Sequence, residues 1–269
     1  MSQTKPEASS PASPWLRSSG RAIAFGATVA GSALLWSSTA PAQTSASAQD
    51  GSESLSPIVV TATRYAESSL DLPVSIDVVD KREIQQGQLE ENLSESLMGV
   101  PGASVENRQN YAQDLQISIR GFGARSSFGV RGVRLYSDEI PGTMPDGQGQ
   151  FSQFDLDSAD RIEVLRGPFS ALYGNASGGV ISVFTEDGPP GYAVGGAAVV
   201  GPFNTQRYAL KAGGTDGDLN YMIDAAHFST DGYREHSAAE RNHFNSKVRF
   251  ELANNAHLTF CLLYTSRCV

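Results

Sequence analysis

From Gly191 to residue 260 apolar and polar residues alternate with period two, most clearly over Phe244-Asn245-Ser246-Lys247-Val248-Arg249-Phe250-Glu251-Leu252. That spacing predicts strands with one apolar and one charged face. Tyr208 and Leu210 alternate with Arg207 and Lys211, and Tyr221, Ile223 and Ala225 with Asn220 and Asp224. The segments have the roughly 9–11 residues that a transmembrane β-strand needs. A soluble β-sandwich carries the same period, so alternation alone leaves both open.

Between residues 70 and 187 the pattern is mixed. Val74-Ser75-Ile76-Asp77-Val78-Val79 alternates as a strand, and Asp80-Lys81-Arg82-Glu83 has the form of a capping box opening a helix. A second box, Asn92 with Glu95, starts a helix that sets Leu89, Leu93 and Leu97 on one face and stops at Gly99-Val100-Pro101-Gly102. Strands are expected at Leu115–Arg120, Val130–Tyr136, Ile162–Arg166 and Val180–Thr185, between glycine-rich turns. The fold class is therefore an α+β domain, a small mixed sheet with short helices, followed by antiparallel strands.

The first 42 residues differ from the rest. Lys5, Arg17 and Arg21 precede the apolar run Ala22–Trp36, and Ala40-Pro41-Ala42 fits a cleavage site, so 1–42 is expected to be a Sec-type export signal. Its removal takes three basic and one acidic side chain from a chain of net charge −9, leaving −11 and no basic run suited to nucleic acid. Residues 43–55 have linker composition, and Pro57-Ile58-Val59-Val60-Thr61-Ala62-Thr63-Arg64 concentrates β-branched residues, a strand without a local partner. The two cysteines, Cys261 and Cys268, lie in the last nine residues, so no disulfide framework is expected in the body. Residues 261–269 break the preceding alternation and are expected to be a non-native tail outside the fold.

Motif by motif, the residues argue against an enzyme. Gly121 and Gly123 form Gly-x-Gly without a third glycine or a following helix and are expected to serve a tight backbone. Gly174-Asn175-Ala176-Ser177-Gly178-Gly179 has its serine misplaced for a nucleophile elbow. His227, His236, His243 and His257 lack metal-site spacing and are expected to be solvated. Asp155, Asp157 and Asp160 lack the glycine and closing glutamate of an EF-hand and are expected to cap and turn. No catalytic residue, metal or cofactor is expected.

Gln116-Ile117-Ser118-Ile119-Arg120-Gly121-Phe122-Gly123 and Arg161-Ile162-Glu163-Val164-Leu165-Arg166-Gly167-Pro168-Phe169-Ser170-Ala171-Leu172-Tyr173-Gly174 resemble the plug domain of TonB-dependent receptors. Pro73-Val74-Ser75-Ile76, Val100-Pro101-Gly102-Ala103 and Gly178-Gly179-Val180-Ile181 stand in the same order as in that family. The resemblance implies a plug at 70–187 and, at 191–260, the first strands of an outer-membrane barrel of roughly 22 strands, of which about four fit in this length, so the chain is expected to be a truncation. Residues 56–64, with Ile58, Val59, Val60, Thr61, Ala62 and Thr63, stand where the family carries its TonB box, which pairs with TonB, the arm of an inner-membrane energising complex. Arg120 and Arg166 match plug arginines that face barrel glutamates, with Glu163 offsetting charge locally. Apex loops at 107–111, 124–128 and 142–148 would meet the ligand through Arg108, Tyr111, Arg125, Phe128 and Met144.

The implied function is TonB-dependent transport of a ferric siderophore or similar scarce solute, with outer-membrane lipid, TonB and a small-molecule or metal-chelate ligand as partners. The alternatives are a plug-like binding module without transport, or a receptor for cobalamin or pyrroloquinoline quinone. For the last, Phe128-Gly129-Val130-Arg131-Gly132 with Met144-Pro145-Asp146-Gly147-Gln148-Gly149-Gln150 is similar to the corresponding branch. Tyr136-Ser137-Asp138-Glu139-Ile140-Pro141 departs from the family pattern, with Glu139 where glycine is usual at a hairpin tip, and the departure predicts another turn type.

Overall fold

The computed structural model describes residues 59–61, 67–69, 71–107, 111, 114–150 and 154–268. The expected leader and linker, Ile58, Ala62, Thr63 and Arg108 lie outside these residues.

A short antiparallel pair comes first, β1 (Val59–Val60) with β2 (Glu67–Ser68). The α+β domain follows: β3 (Ser75–Asp80), α1 (Lys81–Gln85), α2 (Leu93–Leu97), β4 (Ala103–Glu106), β5 (Gln116–Ile119), β6 (Val133–Ser137), β7 (Ile140–Pro141), β8 (Ala159–Arg166), α3 (Ser170–Tyr173) and β9 (Gly179–Thr185). Its main sheet has the order β3-β8-β9-β6-β7, with β6 and β9 parallel and the other neighbours antiparallel. The strands β4 and β5 form a separate antiparallel pair.

Apolar side chains decide this arrangement. One sheet face packs Ile162, Val164, Ile181 and Val183 against Ile84, Leu93 and Leu97 of the two short helices and Ile117 and Ile119 of β5. The other face packs Leu165 and Val180 against Tyr136, Tyr173 and Ala176. Both faces are covered, which is why β9 is a nearly continuous apolar run. Asp80 caps α1 by accepting from Glu83 N at 2.9 Å, and Glu95 closes the second box on Asn92 N at 3.1 Å. Leu89 precedes that N-cap and so stands outside α2, correcting the three-leucine face to Leu93 and Leu97.

Two turns depend on backbone conformation. Gly123 has φ +93°, and a Cβ there would lie 2.5 Å from Ile117 O and 3.0 Å from Arg131 O, so only glycine fits this close approach. The β6–β7 hairpin keeps positive φ at both Asp138 (44°) and Glu139 (69°), correcting the expected change of turn type. The strain is held by Asp138, whose carboxylate accepts from Thr185 N at 2.9 Å while its own N–H donates to Val183 O at 2.9 Å.

After Asp187 the chain becomes an antiparallel meander: β10 (Gly191–Gly201), β11 (Thr205–Asp216), β12 (Leu219–Thr230), β13 (Ala239–Glu251) and β14 (His257–Cys268). The sheet is open, and its strands are 11–13 residues long, enough for the hydrocarbon thickness when tilted. Five strands form rather than about four. Residues 261–268, expected to lie outside the fold, pair with β13 from Lys247↔Cys261 to Glu240↔Cys268, because ladder bonds use the backbone and do not require an alternating side-chain pattern.

The alternation has the expected parity. Tyr208, Leu210, Ile223, Phe244 and Phe250 face outward and exposed, while Arg207, Asp224 and His243 face the α+β domain and are buried. Asn220 anchors the junction by accepting from Gly188 N and donating to Gly188 O, both at 2.9 Å.

Candidate functional site

The segment Val59–Thr61 is held on the α+β domain. Val60 is fully buried, and the Thr61 N–H donates to both oxygens of Glu163, at 3.2 and 3.0 Å. The Thr61 hydroxyl lies 3.2 Å from Glu163 Oε1, and Arg161 Nε donates to the same oxygen at 2.9 Å. The Arg161 guanidinium is fixed in turn over the Phe184 ring, 4.2 Å from its centroid. Glu163 is 1% exposed, so its charge depends, among the described residues, on these donors. One buried carboxylate of a central strand thus clasps the β-branched segment. Glu163→Gln keeps the shape but removes the charge and one acceptor, a loss of about 1.5–3 kcal/mol for hydrogen bonds to a charged group. Cleavage of residues 56–66 of the intact protein by a dilute protease is expected to quicken about 10–100-fold in that variant; an unchanged rate would show that Glu163 does not hold the segment.

Among the described residues, the two arginines expected to face barrel glutamates make their contacts within the α+β domain. Arg166 pairs with Asp77 at 2.6 Å and donates to Pro101 O at 2.6 Å, within the α+β domain. Arg120 sits at φ 51° with its N–H on Gly102 O at 2.8 Å. Neither arginine meets a carboxylate of β10–β14 there.

What joins the domain to the meander has the opposite polarity: acids on the domain, bases on the strands. Arg207 of β11, 1% exposed, contacts Glu90 at 3.1 Å, Glu91 at 3.4 Å and Asp157. Arg241 of β13 reaches Glu91 Oε2 at 3.3 Å and donates to Glu91 O at 2.9 Å. Lys211 pairs with Glu186, Lys247 with Asp187 at 3.1 Å, and Arg249 with Asp187 at 2.9 Å. Burial pushes Glu90 up to about 8, helped by its hydrogen bond with Asp157 and opposed by Arg207. Burial likewise raises Glu91 to about 7 against the pull of Arg241 and Arg207. Burial also acts to raise Asp157, but His243 and Arg207 outweigh it and hold this carboxyl below the usual range.

His243 of β13 is 5% exposed, which corrects the expectation of a solvated histidine: at an inward position it is covered by the docked domain. Its Nε2 lies 3.1 Å from Asp155 Oδ1, 3.1 Å from Asp157 Oδ2 and 3.7 Å from Asp224 Oδ1. Asp155 also makes the expected turn, accepting from Asp157 N at 3.0 Å and Ser158 N at 3.3 Å.

Of the apex residues, Phe128 is 77% exposed, Met144 is 49% exposed, and Arg125 is exposed. Their loops are tied together by Val130 N to Gly149 O (2.9 Å), Gly149 N to Val130 O (2.7 Å) and the Arg131–Asp146 pair (3.4 Å). Tyr111 packs its ring 4.8 Å from that of Phe228 on β12, and burial raises its hydroxyl to about 12. It braces a loop against the strands.

The partners of the inward bases of β11 and β13 and the clasp at Glu163 were not legible in the sequence. The run Arg241, His243, Asn245, Lys247, Arg249 at every second position was the available signal for a charged inner face. Nothing local marks Glu163, whose partner Thr61 lies 102 positions away.

A family model described as the TonB-dependent receptor plug domain matches residues 68–180. An iron-regulated outer membrane virulence protein of Vibrio cholerae is 35% identical over 145 residues, 53% of this chain and 22% of that protein. The vitamin B12 transporter BtuB of Photobacterium profundum is 32% identical over 178 residues, 60% of this chain and 28% of that protein. The chain thus spans about a quarter of the length of these curated relatives. The solved pyoverdine outer membrane receptor FpvA of Pseudomonas aeruginosa has TM-score 0.67 at 20% identity, over 81% of this chain and 31% of that one. The ferric-catecholate import receptor Fiu of E. coli K12 has TM-score 0.60 at 22% identity, over 75% and 28%. At these identities the structures establish the fold.

Proposed function

We infer that the chain belongs to the TonB-dependent receptors, with their plug domain at residues 68–180 and the first strands of their barrel after it, and that it serves the energised uptake of a scarce chelate, of the ferric-siderophore or cobalamin kind. Its place is the outer membrane of a Gram-negative bacterium, and it is a receptor, not an enzyme.

The observation that carries this function is the clasp of Val59–Thr61 by Glu163. Residues 56–64 act as the TonB box. TonB grips them by adding a strand, each backbone bond contributing about 0.5–1.5 kcal/mol net, so the grip is reversible. TonB must therefore compete for the Thr61 N–H that Glu163 holds, and a ligand-driven shift in the plug that loosens Glu163 frees the box. The charge pairs between plug acids and wall bases keep the plug seated until work is delivered.

The ligand meets the apex at Arg125, Phe128 and Met144. A relative named for iron regulation and another named a vitamin B12 transporter support the ligand class. Calorimetric titration of the intact receptor in detergent with a panel of ferric siderophores and cobalamin tests it. One of them is expected to bind, and Phe128→Ala or Met144→Ala should weaken it about tenfold, roughly the ~1.4 kcal/mol of one apolar contact. Affinity unchanged in both variants would remove the apex from the binding site.

A further inference from the structure

Three carboxylates converge on one imidazole nitrogen at the contact between plug and wall. His243 Nε2 can offer one proton, yet Asp155 Oδ1 and Asp157 Oδ2 stand at 3.1 Å and Asp224 Oδ1 at 3.7 Å. Asp224 is 2% exposed, and among the described residues no hydrogen-bond donor reaches either of its oxygens, while Asp157 Oδ2 faces the same His243 nitrogen as Asp155. Buried carboxylates without donors are costly unless something positive sits among them.

The outer oxygens of the same groups are already oriented. Asp155 Oδ2 accepts from Asn245 Nδ2 at 3.2 Å and from the Ser158 hydroxyl, and Asp157 Oδ1 accepts from Arg207. That leaves one oxygen each of Asp155 and Asp157, with the imidazole nitrogen, as a set of ligand atoms within 4.8 Å of one another, and Asp224 beside them. Supporting bonds on the far side of each ligand are the usual construction of a metal site.

We propose that Asp155, Asp157, Asp224 and His243 bind a divalent transition-metal ion that staples the plug to the barrel wall. One imidazole nitrogen with carboxylate oxygens suits Zn²⁺ or Mn²⁺. Two ligands come from the plug loop before β8 and one each from β12 and β13, so the ion joins parts of the chain that must separate if the plug moves.

The intact receptor, purified in detergent and stripped with a chelator, is loaded with zinc chloride, desalted, and its metal counted by mass spectrometry. About one tightly held zinc per protein is expected, and none in Asp224→Asn, which is nearly isosteric and preserves the packing. Ser158→Ala, which removes a hydroxyl bonded to Asp155 Oδ2 and to Asn245 Nδ2 but no ligand atom, should weaken zinc binding about 10–100-fold. Zinc absent from the unaltered receptor, or retained equally by Asp224→Asn and His243→Gln, would overturn the site; the first result would leave a shared proton in its place.

Discussion

Arg207→Ala is expected to destabilise the seated plug by about 3–5 kcal/mol, because removing one partner of a buried ion cluster strands the others away from water. Arg207 is 1% exposed, and three carboxylates, Glu90, Glu91 and Asp157, surround its guanidinium. Among the described ion pairs no other lysine or arginine meets Glu90 or the Asp157 carboxylate. The fitting control is Arg249→Ala. Its partner Asp187 is 45% exposed at the side chain, and an exposed pair of this kind is worth about 0–1 kcal/mol. Chemical denaturation of the intact receptor in detergent measures both, and equal losses in the two variants would contradict a plug held by its buried inner-wall charges.

The parts of the fold that were legible were those in which a local period sets the outcome. Tyr208, Leu210 and Phe244 declared the outer face of the strands, and their neighbours Arg207 and His243 therefore had to point inward. Asp80 and Asn92 marked the helix starts through chemistry confined to one turn. The partners of those inward groups were not legible, since an inward arginine in the sequence faces water or a plug equally well. Glu163 shows the limit most plainly. It alternates correctly within β8, but its role depends on Thr61, brought to it by a tertiary fold that no local pattern encodes. Arg166 shows the same limit: nothing in its motif revealed Asp77, its partner on the neighbouring strand β3.

Val59→Pro carries the other large effect. Val59 pairs with Ser68 in the stored segment and stands inside the six residues that TonB would grip. Proline removes the N–H that an added strand needs and fixes φ near −65°, away from extended geometry. Thr61, Glu163 and the plug core are untouched by the change, so ligand binding at the apex should persist while delivery fails. A drop in uptake of about tenfold or more follows from losing one ladder bond and the strand geometry around it.

The central claim, that this chain couples TonB to passage through the outer membrane, is tested most directly by uptake of labelled ferric siderophores and cobalamin in cells expressing the intact receptor. Uptake is expected to require TonB and to collapse in Val59→Pro while ligand still binds at the cell surface. Uptake that continues without TonB, or that is undiminished by Val59→Pro, would contradict it.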